Sequence, residues 1–356
     1  MIIAIVYSEQ MKSYDFGPGH PFRSDRYANF MRLLKEKVSD FEVVEPRYAS
    51  DEELLLVHDK SYVDFLESAS KGIWLPSSRF LSPDTPLQPG IGRAARLIVG
   101  ASLMAGELVW EGRFACAVGV GGGMHHARRN YGAGFCIYND VAICVENLIQ
   151  KYGSERILIL DTDAHAGDGT CQIFYQDPRV LFIDLHQDPR TLYPGTGFSH
   201  EIGAGEGKGY TANVPLPPGA SDASYEHVLD EIFAPLAEEF SPQIIVRNGG
   251  SDPHFADELT NLGLTLNGFR MIGSKVREVA DKVCSGRAVD LPGSGYNPLI
   301  LPYGWLSLIS GLAHLDIELK EPFPFSLKTD YNLEETSKVV KEVKENLKGY
   351  WGCFAG

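Results

Sequence analysis

The middle of this chain reads Ile157-Leu-Ile-Leu-Asp-Thr-Asp-Ala-His-Ala-Gly-Asp-Gly169, an apolar run that ends in three acids, one histidine and two glycines. Four consecutive apolar residues before Asp161 predict a strand from the centre of a parallel sheet, covered on both faces. In such sheets, ligands bind beyond the carboxyl ends of the strands. The segment therefore predicts an α/β protein whose functional site lies at this end of the strand.

The polar residues of this segment predict half of a metal site. Residues two apart along an extended segment point to the same side, so Asp163 and His165 can direct a carboxylate and an imidazole at one point. The same residues could instead be turn formers, since Asp and Gly are common in loops. However, so many ionisable groups would be costly to bury without a cation or partners. A further ligand must come from elsewhere in the chain.

The overall composition favours one α/β domain over residues 1–356. A chain of 356 residues with 44% apolar composition can bury a large core, although its length alone also allows two smaller domains. The 32 basic and 47 acidic residues give a formal net charge of −15, which disfavours nonspecific binding to nucleic acid or to an anionic membrane. A cationic substrate is compatible with this charge.

Cysteine usage and the amino-terminal sequence predict a cytoplasmic protein. The six cysteines are scattered without a Cys-x-x-Cys pair, so neither a disulfide framework nor a zinc–thiolate site is indicated. Met1 leads directly into a strand-like run without the regions of a signal peptide, and no apolar run is long enough to cross a membrane. We therefore expect a soluble, unexported chain, and the sequence leaves its oligomeric state open.

Strand-like apolar runs alternate with segments of helical period along the chain, which predicts a parallel sheet with helices on both faces. The predicted strands are 2–6, 115–120, 156–161, 179–185, 243–248 and 286–291. The predicted helices are 24–38, 51–70, 91–111, 139–152, 222–239, 267–284 and 333–348. Three Pro- and Gly-rich segments are predicted to form loops that wall a site, namely 73–90, 187–220 and 286–304.

Three more predicted strands end in polar groups. His125 and His126 follow the second predicted strand, Asp252 follows the fifth, and Tyr296 follows the last. Taken alone, the histidine pair could be a surface turn, Gly-Ser-Asp252 a turn signature and the tyrosine a packing residue. Four strand ends that each present a polar group are too many for coincidence. Histidine also suits proton transfer, because its reference pKa lies near neutrality.

Further motifs lie along nearly the whole chain. In order, the motifs are Gly19-His20-Pro21-Phe22-Arg23, Val57-His58, Asp84-Thr-Pro, His125-His126-Ala, Gly134-Phe135-Cys136, Asp161-x-Asp163-x-His165-x-Gly-Asp168-Gly, Asp252 and Gly295-Tyr296. Together they resemble the histone deacetylase family, including its acetoin-utilisation-type and acetylpolyamine members. The resemblance implies the arginase/deacetylase fold, in which a parallel eight-stranded sheet is sandwiched between helices and the active site lies at the carboxyl ends of the strands.

The resemblance also implies a metal centre. It assigns Zn²⁺, or Fe²⁺, to Asp163, His165 and Asp252, with positions left open for water and a substrate carbonyl. A structural K⁺ or Na⁺ is implied at Asp161 and Asp184, together with backbone oxygens.

Catalytic roles follow from the same resemblance. Asp161 and Asp168 are expected to orient His125 and His126 respectively. His126 is expected to be the general base and later the acid to the leaving amine. Tyr296 is expected to donate a hydrogen bond to the developing oxyanion.

Substrate contacts are implied as well, and they extend from the rim of an acyl-lysine tunnel to an internal channel linked to acetate release. The residues concerned are Asp84 at the rim, Gly134, Phe135 and Tyr193 along the tunnel, Leu259 near its mouth, and Arg23 in the internal channel.

Four positions depart from the family pattern. Ala166 stands where a second histidine is usual, which concerns local packing because that histidine is not a ligand. The run Pro292-Gly-Ser-Gly295 replaces an all-glycine run and changes the tunnel floor. Tyr193 replaces a common phenylalanine. Leu259 lacks the acid of some polyamine-specific relatives, which argues against strict polyamine selectivity.

These features predict metal-dependent hydrolysis of N-acetyl (acyl) amides, such as acetyl-lysine in proteins or small acetylated amines, to acetate and a free amine. An acetylpolyamine-selective amidohydrolase is one alternative. A two-metal ureohydrolase is another, because Asp163-Ala-His165-Ala resembles the two-manganese motif of arginases, although two metals need more carboxylates. The third is a catalytically inactive acyl-lysine binder, which would have lost the tyrosine or the histidine pair.

Overall fold

The chain folds around one parallel sheet of eight strands. The computed structural model describes residues 3–71, 79–322 and 332–355. The strands are β1 (Ile3–Val6), β2 (Phe41–Val44), β3 (Cys116–Gly119), β4 (Ile157–Asp161), β5 (Val180–Gln187), β6 (Thr211–Leu216), β7 (Ile244–Gly249) and β8 (Ala288–Pro292). Their order is β2-β1-β3-β8-β7-β4-β5-β6, and every pairing is parallel. The predicted sheet of eight parallel strands is confirmed.

Helices flank this sheet. They are α1 (Asp25–Lys37), α2 (Asp51–Leu54), α3 (Lys60–Ser70), α4 (Ile91–Trp110), α5 (Asp140–Tyr152), α6 (Asp168–Phe174), α7 (Asp222–Val228), α8 (Ala234–Phe240), α9 (Leu266–Cys284), α10 (Leu301–Leu312) and α11 (Leu333–Leu347). Helix α4 packs on β1, β3 and β8, and α9 packs on β7 and β8. The middle of the sheet is therefore covered by the longest helices.

The strands in the middle of the sheet are the ones that the apolar runs predicted. Every residue of β3, β4, β7 and β8 is buried, as expected for parallel strands covered on both faces. Where predicted and observed strands coincide, their bounds agree to within two residues. This rigid, apolar frame fixes the strand ends from which the polar loops depart.

Both edge strands were missed. Strand β2 has only four residues, and its Val43 is 45% exposed, so it lacks the continuous apolar run of a central strand. Strand β6 lies within the predicted loop 187–220, and that prediction is wrong over 211–216. Pro215 obscured the pattern, because proline cannot donate a ladder hydrogen bond, but an edge strand tolerates it.

Two predicted helices are interrupted. The helix predicted over 51–70 breaks into α2 and α3, because the backbone N–H of Asp59 donates to the carbonyl of Arg129 and the buried His58 binds the same loop through its ring. The helix predicted over 222–239 widens into a π-helical turn between α7 and α8. Pro235 follows this turn and has no N–H to continue the regular pattern.

Helices α6 and α10 were not predicted. Helix α6 has only seven residues and begins at Asp168, inside the polar segment that was assigned to the site. Helix α10 begins at Leu301, within the predicted loop 286–304. Both helices follow directly from site loops. Glycine and polar residues masked the helical period of α6, whereas α10 is buried on nearly every side and so shows no one-sided apolar period.

Two predictions extend beyond the described residues: positions 73–78 of the predicted loop 73–90, and residue 2 of the predicted strand 2–6, lie outside them. Among the helices that the structure describes, none combines the length and the apolar character required to cross a membrane.

Candidate active site

Four neighbouring strands, β3, β8, β7 and β4, end at the loops that carry the predicted site residues. Asp161 at the end of β4 is in register with Asn248 of β7, which is in register with Leu291 of β8. The loops that follow therefore start at the same level of the sheet. Parallel strands bring such loops to one edge, where side chains from distant parts of the chain can meet.

Asp163, His165 and Asp252 converge at this edge. The Nδ1 atom of His165 lies 3.1 Å from Oδ1 of Asp163 and 3.1 Å from Oδ2 of Asp252. One potential ligand atom from each residue lies within 4.8 Å of the others, and all three residues are buried. Two carboxylates and one imidazole with open positions form the donor set of a catalytic zinc site, and they also suit Fe²⁺. The residues therefore fit the predicted metal.

Burial and the charges inside this group determine its protonation. Burial raises the pKa of Asp252, and the neighbouring charge of Asp163 raises it further. Burial also acts to raise the pKa of Asp163, but His125 and His165 outweigh it and hold that pKa well below its usual range. Burial acts to lower the pKa of His165, but its hydrogen bonds with both carboxylates raise it to about 9. A divalent cation would displace these protons, because metal ligands bind in their deprotonated forms.

His125 and His126 form two parallel histidine–carboxylate pairs. Nδ1 of His125 donates to Asp161 at 2.8 Å, and Nδ1 of His126 donates to Asp168 at 2.8 Å. The Nε2 atoms of the two rings lie 3.1 Å apart. Asp168 is also held by Arg128, whose Nη2 donates to its Oδ2 at 2.7 Å. The structure thus brings together the predicted partners.

The two histidines differ in charge. Burial acts to lower the pKa of His125, but Asp161 and Asp163 raise it to about 10. Burial lowers the pKa of His126, and the charge of His125 lowers it further. His126 is therefore the neutral member of the pair at neutral pH, and a neutral imidazole can accept a proton.

Tyr296 closes the opposite side of the site. It is 9% exposed, and its ring stands edge-on to Phe135 and to His165, with centroids 5.8 and 6.2 Å apart. Its backbone N–H donates to Asp257 at 2.8 Å, which anchors the loop. Burial and then the charges of Asp252 and Asp163 raise the pKa of its phenol well above the ordinary value. The hydroxyl stays protonated and remains a hydrogen-bond donor.

Gly134 and Phe135 form one wall. Gly134 has φ of +56°, and a Cβ atom there would lie 2.3 Å from the ring of His126, so no larger residue fits. Phe135 also has a positive φ, of 67°. Asp84 supports this turn from below, because its Oδ1 accepts a hydrogen bond from the N–H of Gly134 at 3.3 Å.

Two further predicted residues lie nearer the surface. Tyr193 is 44% exposed, and its ring stands edge-on to that of His126 at 5.1 Å between centroids. Leu259 is 38% exposed. Tyr193 thus borders the site directly, whereas Leu259 lies on the exposed segment that follows Asp252.

The prediction for Arg23 requires a correction. Its side chain is 56% exposed and pairs with Asp25, so it does not lie in an internal channel. The buried arginine is Arg26, whose Nη1 donates to the carbonyl of Gly293 at 2.7 Å and whose guanidinium lies 5.9 Å from the ring centroid of Tyr296. Helical spacing could have identified it, because Arg26 lies four residues before the buried Phe30 on the same face of α1.

Asp161 and Asp184, the predicted site of a monovalent cation, are register partners in β4 and β5. The N–H of Gly167 donates to Oδ2 of Asp184 at 2.9 Å. Nδ1 of His186 lies 2.9 Å from Oδ1 of the same carboxylate, and Nε2 of His186 donates to the carbonyl of Gly197 at 2.8 Å. The sequence reading missed this histidine, although its position two residues after Asp184 in a strand puts both side chains on one face.

Comparison with known proteins agrees with this geometry. Residues 20–312 match the model of the histone deacetylase domain. The chain is 41% identical to a probable deacetylase of Archaeoglobus fulgidus over 99% of this chain and 100% of that protein. It is 37% identical to the acetoin utilization protein AcuC of Bacillus subtilis over 84% of this chain and 79% of that one. The crystal structure of the HDA15 HD domain superposes with a TM-score of 0.86, at 26% identity over 99% of this chain and 98% of that chain.

Proposed function

The chain belongs to the histone deacetylase family, and on that premise we propose that it hydrolyses N-acetyl (acyl) amides, such as acetyl-lysine or acetylated amines, to acetate and a free amine. The proposal takes residues 1–356 as a single deacetylase domain. One observation supports it most: the buried Asp163, His165 and Asp252 face the paired histidines and Tyr296 at one edge of the sheet.

The metal in this proposal is Zn²⁺, with Fe²⁺ as the other candidate. Asp163, His165 and Asp252 would hold it. When bound, it supplies a Lewis acid that polarises the amide carbonyl and makes a water molecule more acidic. Among the described residues, no second group of three His, Cys, Asp or Glu residues could hold an ion. This finding favours a one-metal deacetylase over a two-metal ureohydrolase.

His126 is the proposed proton carrier. As the neutral member of the pair, it takes the proton of the attacking water and returns it to the nitrogen of the leaving amine. Asp168 and Arg128 fix the orientation of its ring through the bond at Nδ1. His125, held by Asp161, supplies positive charge beside the site. A general acid–base group, the role proposed for His126, typically contributes about 10²–10⁴-fold to the rate.

Tyr296 is the proposed oxyanion donor. Its protonated hydroxyl can donate to the carbonyl oxygen as negative charge develops there, without changing its own charge. The buried guanidinium of Arg26 lies 5.9 Å from the centroid of the tyrosine ring and is proposed to provide a positive charge for the acetate product. Loss of the tyrosine would be expected of a noncatalytic acyl-lysine binder, and the tyrosine is present.

The proposed tunnel suits a linear acyl amide as the substrate. Aromatic rings of Phe135 and Tyr193 flank the site and suit the apolar chain of an acyl-lysine. Asp84 accepts a hydrogen bond from the N–H of Gly134 and is proposed to hold the substrate backbone at the rim. Leu259 is proposed to contact the substrate at the mouth.

An acetylpolyamine-selective amidohydrolase is the second candidate. One observation favours it: a cavity of about 680 Å³ beside Tyr296 is lined by Asp15, Asp25 and Glu258. Arg23 also lines it and pairs with Asp25, so the net charge of the lining remains negative and would favour a second positive charge on the substrate. The exposed, apolar Leu259 argues against strict polyamine selectivity. The two candidates share one chemistry and differ only in the amine that leaves.

Two further proposals accompany this function. A structural K⁺ or Na⁺ is proposed at Asp161 and Asp184, where Nδ1 of His186 also lies 2.9 Å from Oδ1 of Asp184. A cytoplasmic location is proposed because all six cysteines are free thiols. The negative net charge supports substrates or partners other than nucleic acid.

A turnover panel tests the proposed function. The metal-loaded chain is assayed on acetyl-lysine peptides, acetylpolyamines and other short acyl amides, with released acetate as the readout. We expect hydrolysis of acetyl-lysine peptides. A kcat/KM at least about tenfold higher for acetylpolyamines, which equals about 1.4 kcal/mol, would favour the second candidate. Metal-loaded protein that hydrolyses none of these amides would overturn the proposal.

A further inference from the structure

Ser294 makes a direct contact with one of the proposed metal ligands. Its hydroxyl donates to Oδ1 of Asp252 at 2.6 Å. The other oxygen of that carboxylate, Oδ2, faces Nδ1 of His165 at 3.1 Å. The two oxygens of Asp252 thus have separate partners, one outside the donor group and one inside it. A bond this short from a hydroxyl to a carboxylate is typical of a charge-assisted hydrogen bond.

The backbone of Ser294 is fixed by its neighbours. Its carbonyl accepts hydrogen bonds from the N–H of Ser251 at 3.1 Å and from Nε1 of Trp305 at 2.8 Å. A Cβ atom on Gly250 would lie 2.0 Å from the same carbonyl oxygen, so the two loops are in close contact. These contacts fix the backbone of Ser294 beside Asp252, within hydrogen-bonding distance of its hydroxyl.

We propose that Ser294 is a positioning residue that sets the orientation of Asp252 for metal binding. The inference rests on the proposed function, because it assigns Asp252 to the metal. Ser294 lies in the run that departs from the all-glycine pattern of the family, so this bond belongs to the particular sequence of this chain.

The physical reason is the rotation of the carboxylate. An aspartate bound through one oxygen can turn about its Cβ–Cγ bond, and a donor on the other oxygen removes that freedom before the metal arrives. Outer hydrogen bonds of this kind typically change metal affinity by about 10–100-fold. Ser294 also lies two residues before Tyr296, so the same short loop carries the support for the ligand and the proposed oxyanion donor.

Ser251 provides a matched control. It precedes Asp252 directly, and its hydroxyl is buried without a hydrogen-bond partner among the described residues. Ser251→Ala therefore removes a buried hydroxyl from the same place without removing a bond to Asp252. Ser294→Thr keeps the hydroxyl and serves as the conservative variant.

The test is the Zn²⁺ dissociation constant of the metal-free chain, measured by competition with a chromophoric chelator for wild type, Ser294→Ala, Ser294→Thr and Ser251→Ala. We expect Ser294→Ala to bind Zn²⁺ about 10–100-fold more weakly, with Ser251→Ala close to wild type and Ser294→Thr stronger than Ser294→Ala. The visible absorption of bound Co²⁺ should also differ between Ser294→Ala and wild type.

Equal Zn²⁺ affinity of Ser294→Ala and wild type would overturn the inference and leave the proposed function intact. Equal weakening by Ser251→Ala would also overturn it, because the effect would then be general packing. If Ser294→Ala fails to fold, Ser294→Gly, which also lacks the hydroxyl, takes its place, and equal Zn²⁺ affinity of Ser294→Gly and wild type would overturn the inference. A wild type that binds metal but shows no turnover would overturn the proposed function alone.

Discussion

Among the buried carboxylates near the carboxyl edge of the sheet, Asp290 differs from Asp163 and Asp252 in how its charge is balanced. Between β7 and β8, Asp290 pairs with the guanidinium of Arg247, and neither side chain is more than 2% exposed. In the loops beyond, Asp163 and Asp252 face each other across His165. Within the described part of the chain, neither of these two carboxylates has a lysine or arginine partner. The charge of Asp290 is therefore balanced within the protein, whereas Asp163 and Asp252 are the residues at which we propose a cation.

The Arg247–Asp290 pair supports the strands, whereas Asp163 and Asp252 belong to the candidate site. Arg247 also donates to the hydroxyl of Thr162 at 3.0 Å and to the carbonyl of Gly249 at 3.2 Å, so it joins the exits of β4 and β7. If one partner of such a buried pair is removed, the other is left as an uncompensated buried charge. An exchangeable cation, by contrast, can be removed and returned. The comparison predicts that changes in the fixed pair act on stability, while changes in the loop group act on metal content and rate.

His165→Ala should have the largest effect. Two carboxylates alone make a poor Zn²⁺ site, so we expect the metal content to fall to near zero and the activity with it. Metal analysis of the purified variant provides the measurement, and His186→Gln, a change of another buried histidine, is the control. Full metal occupancy in His165→Ala would remove this residue from the ligand set.

His126→Ala should lower kcat by about 10²–10⁴-fold, the range of a general acid–base group, while metal content is retained. The same change at His125 should cost less, because that ring is the cationic member of the pair. Steady-state kinetics with parallel metal analysis would distinguish the two. A His126→Ala enzyme with the turnover of the wild type would mean that the base lies elsewhere.

Arg247→Leu tests the fixed pair. It leaves Asp290 buried without its partner, so the free energy of unfolding should fall by about 3–5 kcal/mol. The double variant Arg247→Leu/Asp290→Leu should recover much of this loss, since two apolar side chains then replace two charges. Urea unfolding of both variants and the wild type measures the effect. A single variant as stable as the wild type would contradict the assigned role of the pair.

Tyr296→Phe should lower kcat by about 10²–10³-fold, equivalent to about 3–4 kcal/mol, with a modest change in KM. The ring that packs on Phe135 is kept and only the hydroxyl is lost, so stability should change little. Kinetics on a substrate that the wild type accepts would decide. A rate within about threefold of wild type, well below the range for an oxyanion donor, would make the tyrosine a packing residue.

The smallest effect is expected at His186, whose Nδ1 atom lies 2.9 Å from Oδ1 of Asp184. Burial acts to lower the pKa of His186, but Asp184 raises it above the ordinary value. Its contribution to stability should therefore be full below about pH 6.5 and should be lost as the pH rises through the folded pKa. The stability difference between wild type and His186→Gln, on the order of 1 kcal/mol, should shrink as the pH rises above about 6.5. A difference that grows with pH would contradict this role.

The central strands and the main site residues could be predicted because their signals are local. The apolar run before Asp161 and the Asp163-x-His165 spacing each lie within a few residues, and family motifs supply the distant Asp252 and Tyr296. The two edge strands gave no such signal, since one is short and the other contains Pro215.

What the sequence could not supply depends on tertiary contacts. Helical spacing points to Arg26 as the buried arginine, but the exposure of Arg23, three residues earlier, depends on where α1 begins and how it packs. The partner of Asp290 in the next strand, and the bond from Ser294 to Asp252 across 42 residues, depend on which strands are neighbours. No single segment of the sequence determines the order of the strands in the sheet.

The proposal that Asp163 and Asp252 bind a catalytic cation is tested most directly by metal content and activity measured on the same sample. The wild-type chain is assayed for acetate release from an acetyl-lysine peptide as purified, after chelation, and after Zn²⁺ or Fe²⁺ is returned. We expect one metal ion per chain, with activity lost on chelation and regained on return of the metal. Full deacetylase activity in a metal-free chain would contradict the proposal.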